Sequence, residues 1–114
     1  MSPTEALDRI RRYNGRLNAF VRVFDEPLGQ GRGPVFAIKD LFDVTGVPTG
    51  GGAQVPLSEN PAANAVVVQR LLDAGWRAVG KTHTVELAYG GWGTNRAGGA
   101  PWNPRDSKVH RAPG

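Results

Sequence analysis

Residues 33–46, GPVFAIKDLFDVTG, decide the fold class. The run from Val35 to Ile38 has the length of a strand and is apolar on both faces. That is the pattern of a strand covered on both sides in a parallel sheet. The run ends in Lys39 and Asp40. A buried ammonium loses its hydration at a cost of several kcal/mol unless it is paired or neutral. Lys39 is therefore exposed at a sheet edge, snorkelling from the strand end, paired with Asp40 or Asp43, or a desolvated amine available as a general base. Spacing alone leaves these four open.

Working outward, residues 34–40 form one strand and residues 45–53 (TGVPTGGGA) a loop. A helix follows, capped near Asn64 and running from Val66 to Ala74. Gly75 closes it at the position that favours positive φ. Val67, Val68, Leu71 and Leu72 form its expected buried stripe. WRAVG (76–80) is a second strand, and a further helix is expected from Thr84 to Tyr89. Strand, helix and strand in this order make one βαβ unit, so the class is α/β. Upstream, Ser2-Pro3-Thr4-Glu5 reads as a capping box with proline at the first helical position. Ala6, Leu7, Ile10 and Tyr13 share one helical face, and Gly15 is the expected stop. Residues 17–24 read as a strand and 26–33 as a turn region. From Gly90 the chain is glycine-rich and irregular. The expected organisation is an N-terminal helix (1–16) and a partial α/β core (17–114), with no closing element, as in a portion of a larger domain.

The 114 residues suit one domain and include 16 glycines, nine prolines and no cysteine. The last point excludes disulfides, thiolate catalysis and Cys-based metal sites, and is compatible with a reducing cytoplasm. The net charge of +4 is scattered. Its densest group, Arg9, Arg11, Arg12 and Arg16, has Glu5 and Asp8 alongside and reads as a solvated helix face. No stacking motif accompanies it, so nucleic acid is not an expected partner. The first ten residues lack the pattern of a secretory signal, and the longest aliphatic run, AVVV at 65–68, is too short to span a bilayer.

Residues 75–82, GWRAVGKT, match the phosphate-loop pattern GxxxxGK[ST]. That motif needs a strand before its first glycine, a loop through its middle and a helix after its lysine. Here a helix precedes and a strand occupies the middle, so Lys81 and Thr82 are expected to end a strand and open a helix. The TGGG run at 49–52 is either a flexible turn or an anion cradle. His83 and His110 have no ligand spacing around them. Trp76 is expected in the core, while Trp92 and Trp102 lie in glycine-rich loops where a pocket role stays open. Trp92, Thr94 and Asn95 are placed near a site only by that loop, and no residue is assigned to substrate binding.

Four segments in order, GPVFAIKDLFDVTGVPTGGGA, NAVVVQRLLDAGW, AVGKTHTVELAYG and GTNRAGGAPWNPRDSKVHRAPG, resemble the N-terminal part of the amidase signature family. The similarity covers nearly the whole chain. It implies a mixed β-sheet flanked by helices and hydrolysis of amides, or transfer of the released ammonia, through a Ser-cisSer-Lys triad. It implies no metal or organic cofactor and a small-molecule amide substrate; self-association stays open. The family's triad lysine lies in the AIKD segment, which is Lys39 here. Burial would favour its neutral amine, the form that accepts a proton from a bridging serine. In the family a glycine- and serine-rich stretch follows the HRAPG segment and carries the cis serine. Ser2, Ser58 and Ser107 do not occupy the matching serine positions. The 114 residues alone are therefore expected to be inactive and to fold poorly, with open strand edges. The alternative is a non-catalytic binding module or a nucleotide binder at GWRAVGKT.

Overall fold

The computed structural model describes residues 1–105 and 108. Helix α1 (Pro3–Leu17) is followed by strands β1 (Phe20–Leu28) and β2 (Val35–Lys39), helix α2 (Val66–Asp73), strand β3 (Arg77–Thr82) and a 3₁₀ turn at Glu86–Ala88. The sheet order is β1-β3-β2, with β3 antiparallel to β1 and parallel to β2. The β2-α2-β3 crossover is the βαβ unit read from the sequence, set in a mixed sheet.

Helix α1 begins as its sequence dictates. The Ser2 side chain accepts from Glu5 N, and the Glu5 carboxylate accepts from Ser2 N. The Ser2 backbone N–H first, and the Ser2 hydroxyl second, hold the Glu5 carboxyl below its ordinary value of 4.5. A depressed folded-state value means that the contribution is present above pH 4.5 and is lost as pH falls through the folded value. An acid titration of helicity should show this loss in the native chain and not in Glu5→Gln.

The helix does not stop at Gly15. It runs to Leu17 because Asn18, at φ 48°, takes the left-handed cap. Asn14 then ties the exit to β1: its Oδ1 accepts from Ala19 N and Phe20 N, and its Nδ2 donates to Phe20 O. β1 therefore starts later than expected, and it runs on through residues 26–28, where the sequence suggests a turn. In α2, Asn64 is not the cap; its Oδ1 accepts from Thr45 N, and Ala65 occupies the capping position. The far end closes as expected. Gly75 N donates to Leu72 O and Trp76 N to Leu71 O, the paired bonds of a left-handed glycine stop. Val68 is the buried residue of this helix, whereas Val67 is 46% exposed and so lies off the stripe.

The sheet is covered on two faces. Ala6, Leu7 and Val79 form the core under α1, and Phe24, Ile38, Val44, Val68 and Ala78 form the core on the α2 side. Each fully buried side chain of valine, leucine or phenylalanine size contributes about 1.5–3 kcal/mol. Adjacent Ala78 and Val79 face opposite cores, so β3, not β2, is the strand buried on both sides. β3 also has neighbours on both edges, so the open strand edges expected of the chain do not include it. Among the described residues β2 pairs only with β3, and Ala37 on it is exposed.

The helix expected over residues 84–89 is replaced by the 3₁₀ turn. Leu87 N donates to Gly51 O at 2.7 Å, which diverts a donor that a helix would use internally. Leu87 and Ala88 take positive φ values of 52° and 56° as a result. No helix among the described residues is long and apolar enough to cross a membrane.

Candidate active site

Two strands, AIK and AVGKT, run parallel and each delivers a lysine near its C-terminal end. The register pairs Phe36 with Ala78 but Ile38 with Lys81. Two residues advance on β2 for three on β3, so β3 carries a bulge at Val79–Gly80. A bulge re-aims the residues beyond it. Without it, simple alternation from Ala78 would turn Lys81 toward α1; with it, Lys81 lies on the face of Ile38 and Asp40. Gly80 has no room for a side chain, since a Cβ there would collide with the Arg22 carbonyl.

Lys81 is fully buried, and its Nζ lies 2.8 Å from Asp40 Oδ1. It also donates to Pro48 O and Thr49 Oγ1, both at 3.0 Å. An ammonium has three donors and no acceptor, and here all three are engaged. GWRAVGKT is thus a helix end and a strand with its lysine sealed inside, and it forms no phosphate loop. Asp40 Oδ2 accepts from Gly50 N, and Gly51 N donates to Asp40 O. One N–H of the TGGG run, that of Gly50, meets an anion, the protein's own Asp40 carboxylate, so the run is not the multi-donor anion cradle. Nor is the run merely flexible. Gly52, at φ +70°, leaves a Cβ only 2.6 Å from Asn95 Nδ2 and 2.7 Å from Thr84 O, so any side chain there is excluded.

Lys39 is placed differently. It pairs with Thr82 in register, and alternation along β2 sends its side chain to the face opposite Asp40. It is partly exposed, and its Nζ makes no hydrogen bond or ion pair among the described residues. Pairing with Asp40 is closed, because that carboxylate is taken by Lys81. The dry setting expected around Lys39 surrounds Lys81 instead. Of the serines, Ser2 caps α1 and Ser58 pairs with Thr49 through the backbone; Ser107 lies outside the described residues.

Asn95 is a second fixed point. Its Nδ2 donates to Gly52 O and Thr84 O, and its Oδ1 accepts from Ala97 N and Gly98 N. Asn95 thus holds loops together, with its amide fully used. Trp76, expected in the core, is only partly buried and packs edge-on against Phe36 at 6.1 Å. Trp92 is 79% exposed, on a shallow cleft with Tyr89 and Thr94, and Trp102 is half exposed. His83 Nε2 meets Gly98 O, and its Nδ1 is buried without a partner. His110 lies outside the described residues. No group of three His, Cys, Asp or Glu among the described residues could hold a metal.

The strand ending in Lys39, which is unengaged among the described residues, and the clamped Lys-Asp pair beside it fall within a segment that matches a known family. The model of the Amidase family fits residues 4–114. The chain belongs to the amidase signature family. It is 42% identical over 90 residues to a 2-amino-5-chloromuconic acid deaminase of Comamonas testosteroni, covering 75% of this chain and 20% of that protein. It is 46% identical over 80 residues to an acylamidase of Rhodococcus erythropolis, covering 69% of this chain and 17% of that one. The crystal structure of a glutamyl-tRNA(Gln) amidotransferase component, from Thermotoga maritima, superposes with a TM-score of 0.79 at 28% identity. That match covers 91% of this chain and 24% of the Thermotoga maritima chain. The chain thus spans about a quarter or less of these amidase-family relatives, and its mixed α/β architecture is a part of theirs.

Proposed function

We propose that residues 1–114 are the N-terminal portion of a single amidase domain that hydrolyses amide C–N bonds, with Lys39 as the general base. The observation that carries the reading is the division of labour between the two lysines. Lys81 has every donor engaged, while Lys39 ends its strand with Nζ uncommitted among the described residues. Lys81 could exchange a proton only by breaking the contacts that hold it, whereas Lys39 has none to break. In this reading Lys39 takes a proton from a bridging serine, which takes one from the nucleophilic serine. The serine oxygen bonds to the amide carbonyl carbon, the C–N bond breaks, the amine leaves with a proton, and water then releases the acid. Neither serine is assigned to Ser2 or Ser58.

The substrate in this reading is a small-molecule amide and the setting cytoplasmic, with which the absence of cysteine is compatible. Association with a second copy or with a different chain accords with the amidotransferase relative, which is itself one component of a complex.

The test is a graft. Residues 1–114 replace the matching segment of the Rhodococcus erythropolis acylamidase, and amide turnover is measured for the graft and for the 114-residue chain. The graft should turn over amide within about 100-fold of its parent; the chain alone, with no assigned serine, should show none, because removing triad members leaves little nucleophilic catalysis. A well-folded graft without activity would refute the reading.

A further inference from the structure

Asp40, the residue directly after the candidate base, is held at four points. Its N–H donates to Thr82 O at 3.0 Å and its carbonyl accepts from Gly51 N at 2.8 Å. Its Oδ2 accepts from Gly50 N at 3.1 Å, and its Oδ1 faces Lys81 Nζ at 2.8 Å. Two of the four anchors run through the side chain, and one of these is ionic and sealed from water. Neighbouring Cα atoms are fixed about 3.8 Å apart by a planar peptide. Clamping Asp40 therefore sets the direction in which Lys39 leaves the sheet.

The need for a clamp is local. β2 has one paired neighbour among the described residues and ends at Lys39. The chain then turns at once, with Phe42 N donating to Lys39 O. An edge strand that ends in a turn has few backbone restraints on its last side chain. The bulge at Val79–Gly80 supplies the missing one by bringing Lys81 round to Asp40. The same ammonium reaches Pro48 O and Thr49 Oγ1, so the strand end and the glycine turn are fixed to one point.

We propose that Lys81 is a positioning residue for Lys39, acting through the Asp40 carboxylate. The proposal rests on the reading of Lys39 as the base. Lys81 touches no reactant, because it is fully buried with its donors engaged. Its task is to keep the neighbouring amine aimed.

The test needs no turnover. The full chain is acetylated with limiting acetic anhydride across a pH series, and modification of Lys39 is read by peptide mass spectrometry against the Met1 α-amine. Three variants are compared, each with a thermal melt. D40N/K81M removes both charges together, so no buried charge is left unpaired. D40N keeps the side-chain size and an acceptor for Gly50, and is read in its place if the double variant does not fold. Thr49→Val removes one acceptor of Lys81 and leaves the ion pair. The expected result is a change of at least threefold in the relative rate at Lys39, with a displaced pH profile, in D40N/K81M and D40N. Thr49→Val should lower the melting temperature and leave the Lys39 profile in place. An unchanged Lys39 profile in the Asp40 variants would overturn the proposal. So would an equal change in Thr49→Val, which would mean general loosening. An inactive graft would remove the role of Lys39 and leave the acetylation result standing. Conversely, an active graft with an unmoved profile would remove only the role of Lys81.

Discussion

Replacing Lys39 by methionine in the acylamidase graft is expected to lower kcat on the order of 10⁴-fold with little change in KM. The size follows from what a triad member does: its proton transfer is made only in the transition state, so its loss appears in kcat rather than in ground-state binding. Methionine keeps the length and apolar stem of the lysine and removes only the amine. Lys39→Arg separates the two ways a lysine can act. A guanidinium stays protonated and cannot take a proton, so the arginine variant should be as inactive as the methionine variant. If arginine restored activity, Lys39 would be supplying charge and not base. A loss of less than about 10-fold in either variant would assign the proton transfer elsewhere. Lys81 is the only other lysine between β2 and the glycine-rich loop, and it is sealed against Asp40.

Much of this arrangement is legible in local chemistry. The capping box at Ser2–Glu5, the glycine stop at Gly75 and the βαβ order depend on residues within a few positions of one another, and all three are present. The departures have identifiable causes. Gly15 suggests a stop, but two asparagines outcompete it by satisfying the backbone at the helix exit. Residues 84–89 have a helical composition, but a long-range bond from Leu87 N to Gly51 O takes the donor.

The site is legible in part. The apolar run before Lys39 marks a strand delivering a lysine, and β2 does end in that residue. Lys81 is hidden for a physical reason. Its neighbours match a nucleotide motif, and a two-residue period starting at Ala78 puts it on the wrong face. Only the bulge at Val79–Gly80, visible in the register, turns it toward Asp40. A glycine before the lysine in an otherwise buried strand is the available signal, since glycine inside a strand often marks a bulge. The partial exposure of Lys39 cannot be read from β2 alone, because it depends on which side of the strand has a neighbour.

Lys81→Met alone should be strongly destabilising. It leaves the Asp40 carboxylate, on a residue only 7% exposed, with Gly50 N as its one side-chain partner. Breaking a buried ion pair from one side costs about 3–5 kcal/mol, because the remaining charge is neither hydrated nor paired. Small domains hold only about 5–15 kcal/mol in total, and each kcal/mol moves Tm by about 4–8 °C at this size. The single variant should therefore melt tens of degrees lower or show no cooperative transition. D40N/K81M should recover most of that loss, since replacing both charges removes the stranded carboxylate along with its partner. The comparison separates two roles for the pair. If the double variant is as unstable as the single, the hydrogen bonds of Lys81 to Pro48 and Thr49 carry the stability, and the ion pair contributes little. If the double variant is stable, the fold does not need the charges, and what they supply is the orientation of the strand end that carries Lys39.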